Sequence, residues 1–392
     1  MSCKNKIVVS EYVSYGHPDK VADQIGDALL DEYLKGDPNS RCGIEVMVKD
    51  NIVVLGGEVN SNADVNHEKT VRKVFSGILY PPNHHLSPSE IKVINLIGKQ
   101  SAEIHSGVDK SDENIGAGDQ GFCAGFASNE ESKTLMPLGV YLAKVICQQF
   151  AIKRYLSIGP DAKTQVIVEY DEDNNAIVKS ILVSIMHQND NIHVLRNIVK
   201  QMIIDNTINI EEEIYDKYIK GRDIKIDVNP CGEWHIGGSV SDCGILGRKI
   251  VVDAYGGYCN VGGGAYSGKD YTKVDRSGAY MCRYIAKNIV KSGIADTAKV
   301  ELSYMIGEAL PCSLNIELNR NQDKVCQIKD YLFSNIDMTP RGIIKKFDGS
   351  FPRNYKLARY GHYGECEHSL IVKYYPWEVT DFADDLKNNV QF

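Results

Sequence analysis

The feature that most limits the fold is an order of elements that occurs three times along the chain. In the first pass, Pro18 suits the opening helical position and Asp19 the positively polarised first turn. Val21, Ile25, Leu29 and Tyr33 recur every fourth residue, and Gly36 can end the helix. Two extended runs, 42–49 and 52–59, flank Asp50-Asn51 and read as a hairpin. A second helix is predicted over about 64–78, with Val71, Val74, Phe75 and Ile78 on one face. The second pass places a helix over about 135–155, runs at 164–170 and 176–187 around a polar turn, and a helix over about 192–204. The third places a helix over about 273–291, runs at 298–306 and 313–318, and a helix over about 322–334. The period is too long for a solenoid. It predicts an α+β protein of three similar domains, each a small mixed sheet covered by helices.

Length agrees, since 392 residues at about 150 per domain suggest two to three domains. A net charge of −8 argues against sequence-independent nucleic-acid binding, which needs a broad basic footprint. No apolar run approaches the ~18 residues of a membrane span. The first residues, polar up to Lys6 and interrupted at Glu11, do not read as a signal peptide. Eleven scattered cysteines without a CxxC pair read as reduced thiols, so a cytoplasmic protein is expected.

Two loop-rich regions break the repeated order. Residues 98–118 are polar and small, with little periodicity, as in a lid or binding loop. Residues 237–268 hold ten of the 34 glycines, a density that implies close backbone approach to something. Gly263 to Lys269 matches GxxxxGK, but Asp270 stands where a P-loop needs Ser or Thr, and no clean strand leads in. The glycines, with Arg248, Lys249, Lys269 and Lys273, suit an anionic polyphosphate in either case. Glu11, Asp19 and Asp275 are acids beside basic residues, as suits magnesium bridging phosphates; read alone, each is more often a helix-start residue than a metal ligand. His17 would cap the first helix or point a protonable ring at a phosphate. The turn around Asp119 and the segment Asp161-Ala-Lys163, read as lying before a strand, are weaker signals.

Taken together, these segments resemble the S-adenosylmethionine synthetase family. The matching motifs are Gly16-His-Pro-Asp-Lys20 with Asp23-Gln24, Gly56-Gly-Glu58, Gly98-Lys-Gln-Ser101, Gly116-Ala-Gly-Asp-Gln-Gly121 and Asp161-Ala-Lys-Thr-Gln165. Asp242-Cys-Gly244, Gly247-Arg-Lys249, Gly262 to Asp270, Lys273-Val-Asp-Arg-Ser277 and Tyr360-Gly-His362 complete an ordered set that spans nearly the whole chain. The resemblance implies a pseudo-threefold arrangement of domains at 1–103, 116–229 and 230–392, with 104–115 in a mobile active-site loop and chain crossovers between domains. It implies that methionine sulfur attacks C5′ of ATP, and that the tripolyphosphate left behind is hydrolysed to phosphate and pyrophosphate. His17, Lys163, Arg248, Lys249, Lys269 and Asp119 would be catalytic. ATP would meet Asp161, Lys163, Glu233, Trp234, Asp242, Arg248, Lys249, Ala265 and Lys269. Methionine would meet Glu58, Gln100, Asp119, Asp242 and Lys273. Magnesium, as two ions per site, would use Asp19, Asp275 and Glu11, and potassium Glu45. The family's sites form between two subunits, which implies a homodimer or a tetramer of dimers. Tyr15, Glu233-Trp234, Ser239 and Val261 depart from the family pattern. A regulatory homologue without turnover and a P-loop-like phosphotransferase are the competing readings.

Overall fold

The structure is a computed structural model that describes residues 5–81, 84, 86–99, 109–111, 114–152, 158–188, 191–365 and 373–390. Strand β1 (Lys6–Val13) leads into helix α1 (Pro18–Gly36), the hairpin β2 (Arg41–Lys49) and β3 (Ile52–Asn60), and helix α2 (His67–Ile78). Short strands β4 (Lys92–Asn95), β5 (Gly98–Lys99), β6 (Asp109–Ser111) and β7 (Asn114–Ile115) precede β8 (Gly121–Ser128). The second pass comprises α3 (Leu138–Ile152), β9 (Ile158–Tyr170), β10 (Ala176–His187) and α4 (Ile192–Ile204), followed by α5 (Glu212–Tyr218) and β11 (Lys225–Val228). The glycine-rich region contains only short elements, α6 (Gly238–Ser241), β12 (Gly244–Ile245) and α7 (Ile250–Asp253). The third pass is α8 (Val274–Lys291), β13 (Thr297–Tyr304), β14 (Ser313–Leu318) and α9 (Val325–Asn335). Helices α10 (Pro340–Phe347), α11 (Asn354–Tyr360) and α12 (Ala383–Asn389) close the chain.

Helix, hairpin and helix therefore recur three times. Several boundaries differ from the sequence reading: α3 starts at Leu138 rather than about 135, since Leu135 has φ +57°, β13 ends at Tyr304, and α9 starts at Val325 after a 3-10 turn. Helix α2 starts at His67 because the Asn66 side chain accepts the Lys69 N–H as its cap. Strand β9 starts six residues before the expected run, because it pairs with β1 as far as Lys163 and with β10 as far as Ile158. Asp161 and Lys163 thus lie within a strand rather than before one.

Three main sheets result, besides the two-stranded pair β6-β7. One has the order β12-β2-β3-β4 with β5 also on β3, one is β1-β9-β10-β11, and one is β14-β13-β8. Strands are exchanged between distant stretches of sequence: β1 pairs antiparallel with β9, and β8 with β13. Each sheet has its own apolar core. The stripe Val21, Ile25 and Leu29 of α1 is fully buried, at roughly 1.5–3 kcal/mol per large side chain. Helices pack on one face of each sheet, and the opposite faces carry a mixture of apolar and charged side chains. On β1 the face away from α3 presents Ile7, Val9 and Glu11, with Ile7 55% and Val9 41% exposed. On β2 it presents Glu45 and Met47.

Candidate active site

Helix α1 organises the site, and its second face is acidic. Asp19, Asp23, Asp27 and Asp31 are spaced by four, so they line one side of the helix. All four are buried, and each accepts backbone N–H groups from the loops packed on α1. Asp19 takes the N–H of Ile245 at 2.9 Å, Asp23 that of Gly247 at 2.8 Å and Asp27 that of Gly268 at 2.9 Å. Asp31 takes the N–H groups of Asn354 and Tyr355, both at 2.9 Å. A row of buried carboxylates is tolerable only with such partners. The glycine-rich loops are therefore pinned to the helix at Ile245, Gly247 and Gly268.

At the start of α1, His17 is the N-cap. Its Nδ1 accepts the Asp19 N–H at 3.1 Å, and Pro18 takes the position whose N–H would have no partner. A ring whose Nδ1 accepts carries its proton on Nε2, leaving that N–H free to donate to an anion. Burial and the Lys249 and Lys163 charges push the imidazole down to about 4, against the pull of Asp19 and Asp242. The ring is thus neutral near pH 7.

Around His17 a first cluster assembles. Lys249 and Arg248, on the turn before α7, approach Asp19, Lys249 by a direct ion pair and Arg248 at 4.0 Å. Glu11 on β1 and Lys163 on β9 form a second pair at 2.9 Å, and Gln165 donates to Glu11 at 2.9 Å. Burial raises the Glu11 carboxyl, but the Lys163 and Gln165 hydrogen bonds outweigh it and hold it low. Asp19 is held low in the same way: burial is outweighed by Lys249 and the Ile245 N–H. Glu11, Lys163, Arg248 and Lys249 line a cavity of about 440 Å³ with Val9, Val251, Val252, Gly256 and Gly257. Asp161 accepts the Gly238 N–H at 2.6 Å through Oδ2, whereas its buried Oδ1 has no hydrogen-bond partner among the described residues. Burial pushes its pKa up to about 7; Asp242 and Asp19 add to the rise and the Gly238 bond opposes it. Asp242 is exposed and accepts the Cys243 N–H at 2.7 Å.

A second cluster forms where the glycine-rich loop meets β2. Lys269 is bridged antiparallel to Gly43, the partner of Glu58 across the hairpin. Its Nζ binds Asp275 at 2.6 Å. A Cβ at Gly264 would lie 2.0 Å from the Asp275 carboxylate, so any larger residue there would displace that carboxylate. Burial raises the pKa of Glu45, and the Lys269 charge offsets part of the rise. Lys273, capping α8, pairs with Asp270. Asp119 is exposed and joined to this region through Gly118, whose N–H donates to the Thr272 carbonyl at 3.1 Å. Ala265 packs against Gly247. Asp270, which occupies the P-loop serine position, is buried; it accepts the Cys42 N–H at 2.8 Å and anchors the loop to β2. That explains the residue without a P-loop.

The side chains of Glu233 and Trp234 make no hydrogen bond to either cluster among the described residues. Glu233 is exposed and pairs with His235 at 3.2 Å, while the Trp234 indole donates to the Ile236 carbonyl at 2.7 Å. Gln100, and the lid segment up to residue 108, lie outside the described residues. Of the departures, Ser239 links α6 to the β2–β3 turn: it donates to the Asp50 carbonyl at 2.9 Å and accepts the Asp50 N–H at 2.8 Å. Tyr15 lies under the Arg359 guanidinium at 4.2 Å.

The three models of the S-adenosylmethionine synthetase N-terminal, central and C-terminal domains match residues 5–102, 114–234 and 236–378. The chain is 37% identical over 390 residues to S-adenosylmethionine synthase of Mycoplasmopsis pulmonis, covering 98% of this chain and 99% of that protein. It is 39% identical over 391 residues to that of Mycoplasma mycoides subsp. mycoides, covering 98% and 97%. The chain belongs to the S-adenosylmethionine synthetase family. A solved structure of an unusual S-adenosylmethionine synthetase from Campylobacter jejuni superposes with a TM-score of 0.86 at 35% identity, over 98% of this chain and all of that one. The three-domain α+β architecture is thus that of the synthetase family, and the activity is methionine adenosyltransferase, with ATP and methionine as substrates. The regulatory and phosphotransferase readings are not favoured.

The sequence reading of the synthetase site overlooked the supports behind it. Asp27 and Arg276 form a bidentate pair at 2.8 and 2.9 Å with no exposure of either side chain, and Arg276 also donates to the Lys269 carbonyl at 3.1 Å. The four-residue spacing of acids on α1 was the available signal. Arg276, inside a matched motif, had none of its own.

Proposed function

We propose that the two clusters together form the site at which the methionine thioether attacks C5′ of ATP. The sulfur forms the new S–C5′ bond, the C5′–O bond breaks, and its electron pair leaves on the tripolyphosphate. A thioether is neutral, so no base is needed; the barrier lies in alignment and in the charge that accumulates on the leaving group. Lys163, Arg248, Lys249 and Lys269 hold the phosphates, and the His17 Nε2–H donates to a phosphate oxygen. Glu58, Gln100, Asp119, Asp242 and Lys273 hold methionine, with acid near the sulfonium that forms. Asp161, Asp242, Glu233, Trp234 and Ala265 line the nucleoside. Hydrolysis of tripolyphosphate to phosphate and pyrophosphate follows at the same cations.

The observation that carries this reading is the pairing of acids with lysines. Glu11 with Lys163, Asp19 with Lys249 and Asp275 with Lys269 are each an ion pair. Phosphate oxygens of ATP would take over the three lysines, and the three carboxylates would then be left to hold a cation. Among the described residues no group of three or more His, Cys, Asp or Glu forms a cage for a metal ion. Single carboxylates suit magnesium, which keeps waters and binds through substrate phosphates plus one or two acids. Glu11, Asp19 and Asp275 would hold it and Glu45 a potassium ion; bound magnesium neutralises charge on the leaving group.

The uncovered apolar residues beside Glu11 and Glu45 support a homodimer that shares its sites, built on these sheet faces, with a tetramer of dimers as a further step. Specific activity should then fall on dilution in step with dissociation measured by sedimentation; full activity from monomers would sink the dimer. All nine described cysteines are free, which suits a reducing cytoplasm. Among the described residues no helix is long and apolar enough to cross a membrane.

The function itself is tested by incubating the protein with ATP, methionine, magnesium and potassium and identifying products by mass spectrometry. S-adenosylmethionine with phosphate and pyrophosphate is expected, only when methionine is present. Production of ADP would overturn the assignment.

Asp161 adds a pH signature. A nucleoside hydroxyl or amino group donating to its free Oδ1 favours the carboxylate, so binding lowers its pKa and protonation opposes binding. KM for ATP should therefore rise as pH falls through about 7. Asp161→Asn should flatten that limb; a limb unchanged in the variant would assign it to another group.

A further inference from the structure

Tyr80 and His84, in the connection after α2, have no part in the site as described so far. Their rings stack with centroids 4.1 Å apart and planes 8° from parallel. Tyr80 Oη donates to the Gly16 carbonyl at 2.6 Å, directly before His17. His84 Nε2 donates to the Gly237 carbonyl at 2.7 Å, directly before the Gly238 N–H that binds Asp161. Gly238 has φ +63°, and a Cβ there would lie 2.2 Å from Tyr80 Oη, so the tyrosine packs on both segments. One stacked pair thus holds two backbone carbonyls from stretches more than two hundred residues apart in sequence.

We propose that Tyr80 and His84 are positioning residues of the synthetase, whose stacked rings set the His17 cap at a fixed separation from the Gly238–Asp161 contact. This rests on the reading in which His17 faces the triphosphate and Asp161 the nucleoside. In-line displacement at C5′ needs both ends of ATP held at once, and a misplacement of about 1 Å costs on the order of 10²-fold in rate.

The test uses the full chain with Tyr80→Phe, His84→Ala and His84→Gln, measuring kcat, both KM values and Tm. Tyr80→Phe keeps the stacked ring and removes one donor; it should lower kcat about 10-fold or more with KM for methionine within about twofold. His84→Ala should raise KM for ATP about 5- to 10-fold, and His84→Gln, whose carboxamide N–H can reach the same carbonyl, should restore most of it. If Tyr80→Phe and His84→Ala lower Tm but leave kcat and KM for ATP unchanged, the pair is packing only and the proposal fails. It fails equally if His84→Gln behaves as His84→Ala. Should His84→Ala not fold, Tyr80→Phe and His84→Gln still decide the matter. A wild-type protein that makes no S-adenosylmethionine in the same assay would overturn the site reading itself, and the proposal with it.

Discussion

Lys269→Ala should lower S-adenosylmethionine formation by about 10²- to 10³-fold, the usual cost of removing one preorganised charge stabiliser from a transition state. The backbone at this position does not depend on the side chain. Its carbonyl is held by Arg276, Gly43 bridges it to β2, and the preceding Gly268 is fixed by Asp27 and by the Ile44 N–H at 2.9 Å. The substitution therefore removes an ammonium group from an intact loop, and Asp275 loses its 2.6 Å partner. Single-turnover product formation at saturating ATP and methionine, with Tm as a control on folding, measures the effect. A rate within about threefold of wild type, in folded protein, would show that Lys269 serves only Asp275 and not the leaving group.

Arg276→Met should destabilise the protein by about 3–5 kcal/mol, because it leaves the Asp27 carboxylate buried without its counter-charge. Neither side chain of the pair has any exposure, and the arginine makes two bonds to Asp27 at 2.8 and 2.9 Å. The double variant Asp27→Leu with Arg276→Met removes both charges and should recover much of the loss, since an apolar replacement of a buried pair is often neutral. Equilibrium denaturation of the two variants against wild type makes the comparison. A loss below about 1 kcal/mol for the single variant would mean that water or another cation reaches Asp27. Activity should not recover in the double variant, because the Gly268 N–H and the Lys269 carbonyl both lose their anchors.

Much of this protein is legible in one dimension. Val21, Ile25 and Leu29 lie in the core where their spacing placed them, and the three helix–hairpin–helix passes occur in the expected order. Periodicity reports which face of an element is apolar, and the chain obeys it because burial of that face is the main driving force. His17 was open to two readings, as a cap or as a phosphate ligand. The cap is visible in the 3.1 Å bond to the Asp19 N–H, and that same bond leaves Nε2–H available to an anion, so the two roles are compatible.

Sequence by itself determined the element order, the apolar stripes and, through its ordered motifs, the family. Only the tertiary structure decided which acids meet which lysines. Asp19 and Lys249 are 230 residues apart, and Glu11 and Lys163 are joined because β1 pairs with β9 rather than with the sheet of its own stretch. Strand pairing is a long-range choice that local spacing does not encode. The acid row on α1 belongs to the same class. Its four-residue spacing can be read from the chain, but the backbone N–H groups it captures come from loops brought onto the helix only when the three cores close. Buried carboxylates need donors, and the fold supplies them.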